Sequence, residues 1–315
     1  MEKSQLSWIV DQETGNRYLD CYSQFASQPI GWNHPYLNPY KESIQKASMY
    51  KIANSDMYSE IYATFVEELS NITPDFNNYF FIDGGALAVE NSLKAAFDWK
   101  CQVTPKHQKS DGQNLDIIHL EESFHGRSGY TMSLLGTGEL KTKWFPKFNW
   151  TRLINPKIYP NITTTIQNEE WCLYKMEKTL KKDNTAAVIF ETIQGEGGDN
   201  QFRKSFFEEV RRLTNKYNAL FILDEVQAGF GATGKWWAYE HYNVKPDILV
   251  FGKKTQVCGF CSNERIQEAK NNVFKQSGRI NSTWGSNFTD MSRSTAYMKI
   301  IKDNNILDNV NQVGD

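Results

Sequence analysis

Short apolar runs alternate with longer amphipathic stretches along this chain, and the alternation predicts its layout. Tyr79-Phe80-Phe81-Ile82 is apolar over the length of one strand, as a strand buried on both faces requires. Gly84-Gly85 breaks the run. The segment after it carries Val89, Leu93, Ala96 and Phe97 on one helical face, at i, i+4, i+7 and i+8. Further strands are predicted over residues 117–120, 186–190, 219–223 and 248–251. A helix with Phe206, Val210, Leu213 and Tyr217 on one face precedes the strand at 219–223. Strands alternating with helices of this length specify an α/β domain with a mostly parallel sheet. Ligands of such sheets sit beyond the carboxyl ends of the strands, so the loops there are the places to look.

Composition narrows the field. A net charge of only −2 over 315 residues leaves no electrostatic footprint for nucleic acid or an anionic membrane. The apolar runs stop at strand length, far short of a membrane span. Residues 1–20 lack the basic-then-apolar pattern of a secretory signal. Five cysteines, at 21, 101, 172, 258 and 261, are an odd count; without an export signal they read as reduced thiols of a cytoplasmic protein. Cys258 and Cys261 have redox or metal spacing, but no second pair or histidine cluster accompanies them. Two incidental thiols and no metal site are expected. The length favours one large domain with smaller attachments, and no repeat or Gly/Ser-rich linker marks a boundary.

The predicted strand ends carry unusual chemistry. Asp83-Gly84-Gly85-Ala86 opens a helix; glycines there either let backbone N–H groups reach an anion or only permit a tight turn. Asp224-Glu225-Val226-Gln227 ends another strand, and a carboxylate so placed faces a ligand, an ion-pair partner or a helix cap. Gly252-Lys253-Lys254 ends the last. A lysine in a dry strand-end pocket becomes a nucleophile for a carbonyl, whereas a plain Lys-Lys turn is more often solvated. Gly229, Gly231 and Gly234 spell a dinucleotide fingerprint, but residues 224–228 separate it from the strand, which argues against that ligand. A phosphate, a basic ring nitrogen and an aldehyde together would satisfy the three ends, and pyridoxal phosphate has all three.

The blocks 190–198, 223–234, 246–248 and Gly252-Lys253 resemble, in order and spacing, the class III pyridoxal-phosphate aminotransferases. The resemblance runs from about Trp8 to the end. Gly84-Gly85-Ala86-Leu87-Ala88-Val89-Glu90-Asn91, the segments 124–130 and 279–285, and Phe251-Gly252-Lys253-Lys254-Thr255-Gln256-Val257-Cys258-Gly259 are similar to the L-lysine 6-transaminase (lysine epsilon-aminotransferase) branch. The resemblance implies the aspartate aminotransferase-like fold type I, an α/β large domain with a mostly parallel sheet. It implies a partial N-terminal segment at 1–45, a large cofactor-binding domain at 46–300 and the start of a connection at 301–315, with an N-terminal stretch and most of a C-terminal small domain absent.

The same resemblance implies roles. Lys253 would hold pyridoxal 5'-phosphate as a Schiff base and then move the substrate proton. Asp224 would keep the ring nitrogen protonated, Gln227 would bond the ring hydroxyl and Phe124 would stack on the ring. The Gly85 and Ala86 N–H groups would hold the phosphate, and Thr283 would reach the phosphate of a neighbouring subunit, implying a homodimer with shared sites. Arg127 and Asn281 would meet a substrate carboxylate, and Glu196 would act as a gate, masking an arginine of the C-terminal domain. The reaction implied moves the side-chain amino group of L-lysine to 2-oxoglutarate, giving 2-aminoadipate 6-semialdehyde and L-glutamate. The alternatives are another omega-amine donor (ornithine or 4-aminobutyrate) and a catalytically silent cofactor-binding chain.

Overall fold

The computed structural model describes residues 2–54, 56–109, 112–136 and 138–314. Near the N-terminus β1 (Trp8–Val10) and β2 (Arg17–Leu19) pair as an antiparallel hairpin. A single turn, α1 (Ser23–Ala26), follows with positive φ at all four residues. Then come α2 (Lys41–Ser48) and α3 (Glu60–Ile72), the latter started by the Ser59 hydroxyl accepting the Tyr62 N–H at 3.2 Å.

The main sheet is built from β3 (Asn78–Phe81), β4 (Asp116–Leu120), β5 (Arg152–Leu153), β6 (Thr185–Glu191), β7 (Leu220–Asp224), β8 (Ile248–Phe251) and β9 (Gly259–Ser262). Its order is β3-β9-β8-β7-β6-β4-β5. β9 runs against both neighbours, and the remaining pairings are parallel. The helices α4 (Gly85–Val103), α5 (Ile162–Leu180), α6 (Lys204–Lys216), α7 (Phe288–Asp303) and α8 (Ile306–Gly314) complete the layout. The expected mostly parallel α/β sheet is present.

Strand residues alternate between two cores because successive side chains leave opposite faces. Ile117, Ala187, Ile189, Leu220, Ile222, Ile248 and Val250 join Val89, Leu93 and Trp99 of α4 on one face. Ile118, Leu120, Val188, Phe190, Phe221, Leu223, Leu249 and Phe251 join Phe65 of α3, Phe206 of α6 and Met291 of α7 on the other. Burial on both faces is why these strands read as unbroken apolar runs. Among the described residues no helix is long and apolar enough to cross a membrane.

One consequence positions the site. β3, β4, β6, β7 and β8 all point the same way. Their carboxyl ends therefore bring Gly84-Gly85, Phe124-His125, Glu191, Asp224 and Lys253 to one edge of the sheet.

The glycine-rich signal at residues 229–234 has a packing role. A side-chain carbon on Gly234 would fall 1.8 Å from Asn311 Oδ1, and one on Gly231 would fall 3.1 Å from Leu307 Cδ2. The glycine-rich loop thus exists to let α8 pack closely, and no dinucleotide is needed to explain it. Cys261 is buried in β9, Cys258 lies just before it, and both thiols are free. No group of three or more His, Cys, Asp or Glu able to hold a metal occurs among the described residues.

Candidate active site at the strand ends

A cavity of about 520 Å³ opens at this edge, walled by Gly85, Ala86, Phe124, Arg127, Asp224 and Lys253 among others. Its floor is electrostatic. Asp224 is only 5% exposed at the end of β7, and its Oδ2 accepts a 2.8 Å hydrogen bond from His125 Nδ1. Oδ1 accepts the Val226 N–H at 3.0 Å. Burial alone would depress the His125 imidazole. The hydrogen bond and charge of Asp224, with Glu191 behind them, win and hold its pKa above the ordinary value. Glu191 closes the cluster: burial pushes its carboxyl up to about 7, with His125 pulling it down and Asp224 repelling it. Its Oε1 also accepts the Phe124 N–H at 2.8 Å, which fixes the loop that carries the aromatic ring.

The adjacent Glu225 has a different job. It is buried, accepts hydrogen bonds from Thr192 Oγ1 and the Ala238 and Tyr239 N–H groups, and pins the loop after β7. Of the two neighbouring carboxylates, only Asp224 faces the cavity.

Lys253 sits one residue beyond Gly252 with φ at +52°, a left-handed conformation that costs a non-glycine residue energy and that clusters at functional sites. Its Nζ donates to Gln227 Oε1 at 2.6 Å. Burial lowers its pKa, opposed by Asp224, Glu191 and Glu196, so the amine is easier to deprotonate than a solvated lysine. Gln227 reaches this position because residue 195 is glycine; a Cβ there would stand 2.4 Å from Gln227 Nε2.

At the rim, α4 begins at Gly85. The Leu87 and Ala88 N–H groups both bond Gly84 O, which leaves the Gly85 and Ala86 N–H groups without a partner inside the helix, at the positive end of its dipole. Gly126, with φ at +108°, packs against this terminus so tightly that a Cβ would be 2.4 Å from Ala86 Cβ. Two free amides, a buried carboxylate and an amine thus face one cavity, and His125 Nε2 is buried there without a partner. That donor set fits a ligand bearing a phosphate, a basic ring nitrogen and an aldehyde.

The pattern described as Aminotransferase class-III matches residues 1–315. The chain belongs to the class III aminotransferases. Pyridoxal 5'-phosphate is therefore its cofactor, which agrees with the donor set above. An L-lysine-epsilon aminotransferase from Amycolatopsis lactamdurans is 44% identical over 325 aligned positions, covering 100% of this chain and 72% of the relative. The mitochondrial 4-aminobutyrate aminotransferase of Mus musculus is 31% identical, covering 99% of this chain and 67% of that one. The solved structure of a lysine aminotransferase from M. tuberculosis superimposes with a TM-score of 0.92 at 42% identity, over 97% of this chain and 72% of that one.

Of the residues singled out in the sequence, Gly85, Ala86, Phe124, Arg127, Asp224, Gln227 and Lys253 line the cavity. Glu196 lies beside it and pairs with Lys141. Asn281 instead borders a separate depression with Asn54 and Tyr62, and Thr283 is exposed; within one chain neither reaches the Lys253 cavity. Sequence reasoning missed His125 and Glu191 as site residues. It also took a solvated turn as the ordinary reading of a Lys-Lys pair, whereas Lys254 is only 5% exposed. Lys254 Nζ donates to Ala26 O at 3.1 Å and Gln227 O at 2.6 Å, and Gln256 Nε2 donates to Ser27 O at 3.0 Å. These bonds hold the left-handed α1 turn, which costs about 1–2 kcal/mol per residue, against the cavity and set Ser27 and Gln28 in its wall.

Lys254 carries a pH signature. Burial, with the charge of Lys253 added, lowers its pKa from 10.5 to about 8, against the pull of Glu225. The folded state thus prefers the neutral amine. Below about pH 8 the fold bears the whole cost of an unwanted charge, on the order of 3 kcal/mol. That cost fades as pH rises from about 8 to 10.5. Lys254→Met should flatten the rise in stability across this window. Denaturant midpoints of both proteins at pH 7 and pH 10 check it, and equal slopes would refute the assignment.

Proposed function

We propose that this chain transfers the side-chain amino group of L-lysine to 2-oxoglutarate, yielding 2-aminoadipate 6-semialdehyde and L-glutamate. The observation that carries the donor is the 44% identity, over the whole chain, to an L-lysine-epsilon aminotransferase, against 31% to a 4-aminobutyrate enzyme. The intact set of Lys253, Asp224 and Gln227 around one cavity speaks against a silent binding chain.

Bound pyridoxal phosphate supplies an aldehyde that captures amines and a protonated ring that draws off the electrons left when a neighbouring carbon loses its proton. The chain's own residues do the rest. The Gly85 and Ala86 N–H groups would hold the phosphate at the helix terminus. Asp224 would keep a proton on the ring nitrogen, and His125 fixes which way that carboxylate faces. Phe124 would cover one face of the ring, and Gln227 would meet the ring hydroxyl. Lys253, made less basic by burial, would attach the cofactor and then move the proton at the carbon bearing the donor nitrogen. Arg127 at the rim offers a planar fork to a substrate carboxylate.

Asn281 and Thr283 are exposed away from this cavity, the placement of residues that serve the site of a second copy. A homodimer with shared sites is therefore part of the proposal. The free thiols suit a cytoplasmic setting.

The test is spectroscopic. The purified holoenzyme should lose its cofactor absorbance band on mixing with L-lysine and regain it with 2-oxoglutarate, while ornithine and 4-aminobutyrate act far more slowly. A faster response to either of those amines would replace the donor.

A further inference from the structure

The wall of the Lys253 cavity includes a polar side chain that the strand-end chemistry leaves unused. Gln28 lines the cavity, and no hydrogen bond among the described residues engages its side-chain amide. Its polar neighbours in the wall are committed. Gln227 Oε1 accepts from Lys253 Nζ at 2.6 Å, and Gln256 Nε2 donates to Ser27 O at 3.0 Å and to Lys253 O at 3.1 Å. The Ser27 hydroxyl donates to Gln24 O at 2.7 Å. The carboxylates of Asp224 and Glu191 accept from His125 and from the Phe124 N–H.

The backbone around Gln28 is held as well. Its N–H bonds Ser23 O at 3.3 Å, and Pro29 follows it, which disfavours a helical conformation at residue 28. Lys254 and Gln256 tie the two preceding residues, Ala26 and Ser27, to the turn that carries Lys253. The free amide is therefore kept in register with the reactive amine. A few polar groups placed in this way are what fix a ligand's orientation in a pocket.

On the reading above, the donor enters with its side-chain amine toward Lys253 and leaves its α-carbon toward the rim. That end carries a carboxylate and an ammonium. Arg127 meets the carboxylate, but a guanidinium has no acceptor to offer the ammonium. We propose that Gln28 Oε1 accepts a hydrogen bond from the α-ammonium of the donor. Gln28 is then a specificity-determining residue that favours an amino-acid head over a plain carboxylate. An amide suits the task because it accepts from a cation without bringing a negative charge beside the carboxylate.

This rests on the donor proposed above. The amine half-reaction is followed by cofactor absorbance with L-lysine and with 6-aminohexanoate, which keeps the reacting amine, the chain and the carboxylate but lacks the α-ammonium. The parent is compared with Gln28→Leu and Gln28→Glu. A contact remote from the reacting carbon is made equally before and during the chemistry, so its loss weakens binding and leaves the limiting rate. Gln28→Leu should raise the half-saturating lysine concentration about ten-fold, as for one hydrogen bond to a charged group. Its limiting rate, its cofactor band and its response to 6-aminohexanoate should stay within about twofold of the parent. Gln28→Glu keeps an acceptor and should hold lysine within about threefold. Binding is read separately by calorimetry on the borohydride-reduced holoenzyme, which cannot react. L-norleucine, which has the ammonium, should bind about ten-fold more weakly to Gln28→Leu, and hexanoate, which lacks it, should not. Equal losses for both ligands of a pair would make Gln28 a structural part of the loop and overturn the contact. Unchanged lysine and norleucine binding in Gln28→Leu, or a Gln28→Glu variant as impaired as Gln28→Leu, would overturn it too. A parent inert to lysine that still shows the norleucine pattern would overturn the donor alone.

Discussion

Lys253→Ala is expected to end transamination, with the rate falling by about four orders of magnitude or more, because on the proposed reading one residue is both the attachment point and the proton carrier. The structure argues for Lys253 over its neighbour on geometry. Lys253 Nζ lies in the cavity against Gln227 Oε1 at 2.6 Å. Lys254 Nζ is turned away, bound to the carbonyls of Ala26 and Gln227. Borohydride reduction of the holoenzyme followed by peptide mapping should place the pyridoxyl label on Lys253. A label on Lys254, or an active Lys253→Ala variant, would contradict the account.

Asp224→Ala should leave the cofactor attached but slow deprotonation of the donor carbon by about a hundred- to a thousand-fold. Removing the carboxylate also strips His125 of the hydrogen bond that keeps its pKa up, so burial would then favour the neutral imidazole. The buried floor would change from a carboxylate–imidazole pair to a neutral ring beside Glu191. Single-turnover mixing with lysine deuterated at carbon 6 reads the step directly. A large isotope effect with a slowed rate is the expected result, and a parent-like rate would mean that another group protonates the ring.

How much of this was legible in the sequence follows from what each residue's role depends on. The inner strands declared themselves because burial on both faces demands an apolar run, and β8 was predicted at the residues it occupies, 248–251. β9 was not, because the short Gly259–Ser262 strand runs antiparallel between β3 and β8 and its cysteine spacing drew attention to thiol chemistry. Asp224 and Lys253 stood out because a charge at the end of an apolar strand is costly. His125 and Glu191 did not, since each matters only through the other strand ends: β4, β6 and β7 must lie side by side before an imidazole meets two carboxylates. Lys254 was hidden for a related reason. Its partner Ala26 is 228 residues away in the chain, and no local pattern announces that contact.

The most direct measurement follows the nitrogen. Lysine labelled with ¹⁵N at the side-chain position, and separately at the α position, is incubated with the holoenzyme and 2-oxoglutarate, and the glutamate formed is analysed by mass. The account predicts ¹⁵N in glutamate from the side-chain label and none from the α label. Label arriving from the α position, or unlabelled glutamate in both, would contradict it.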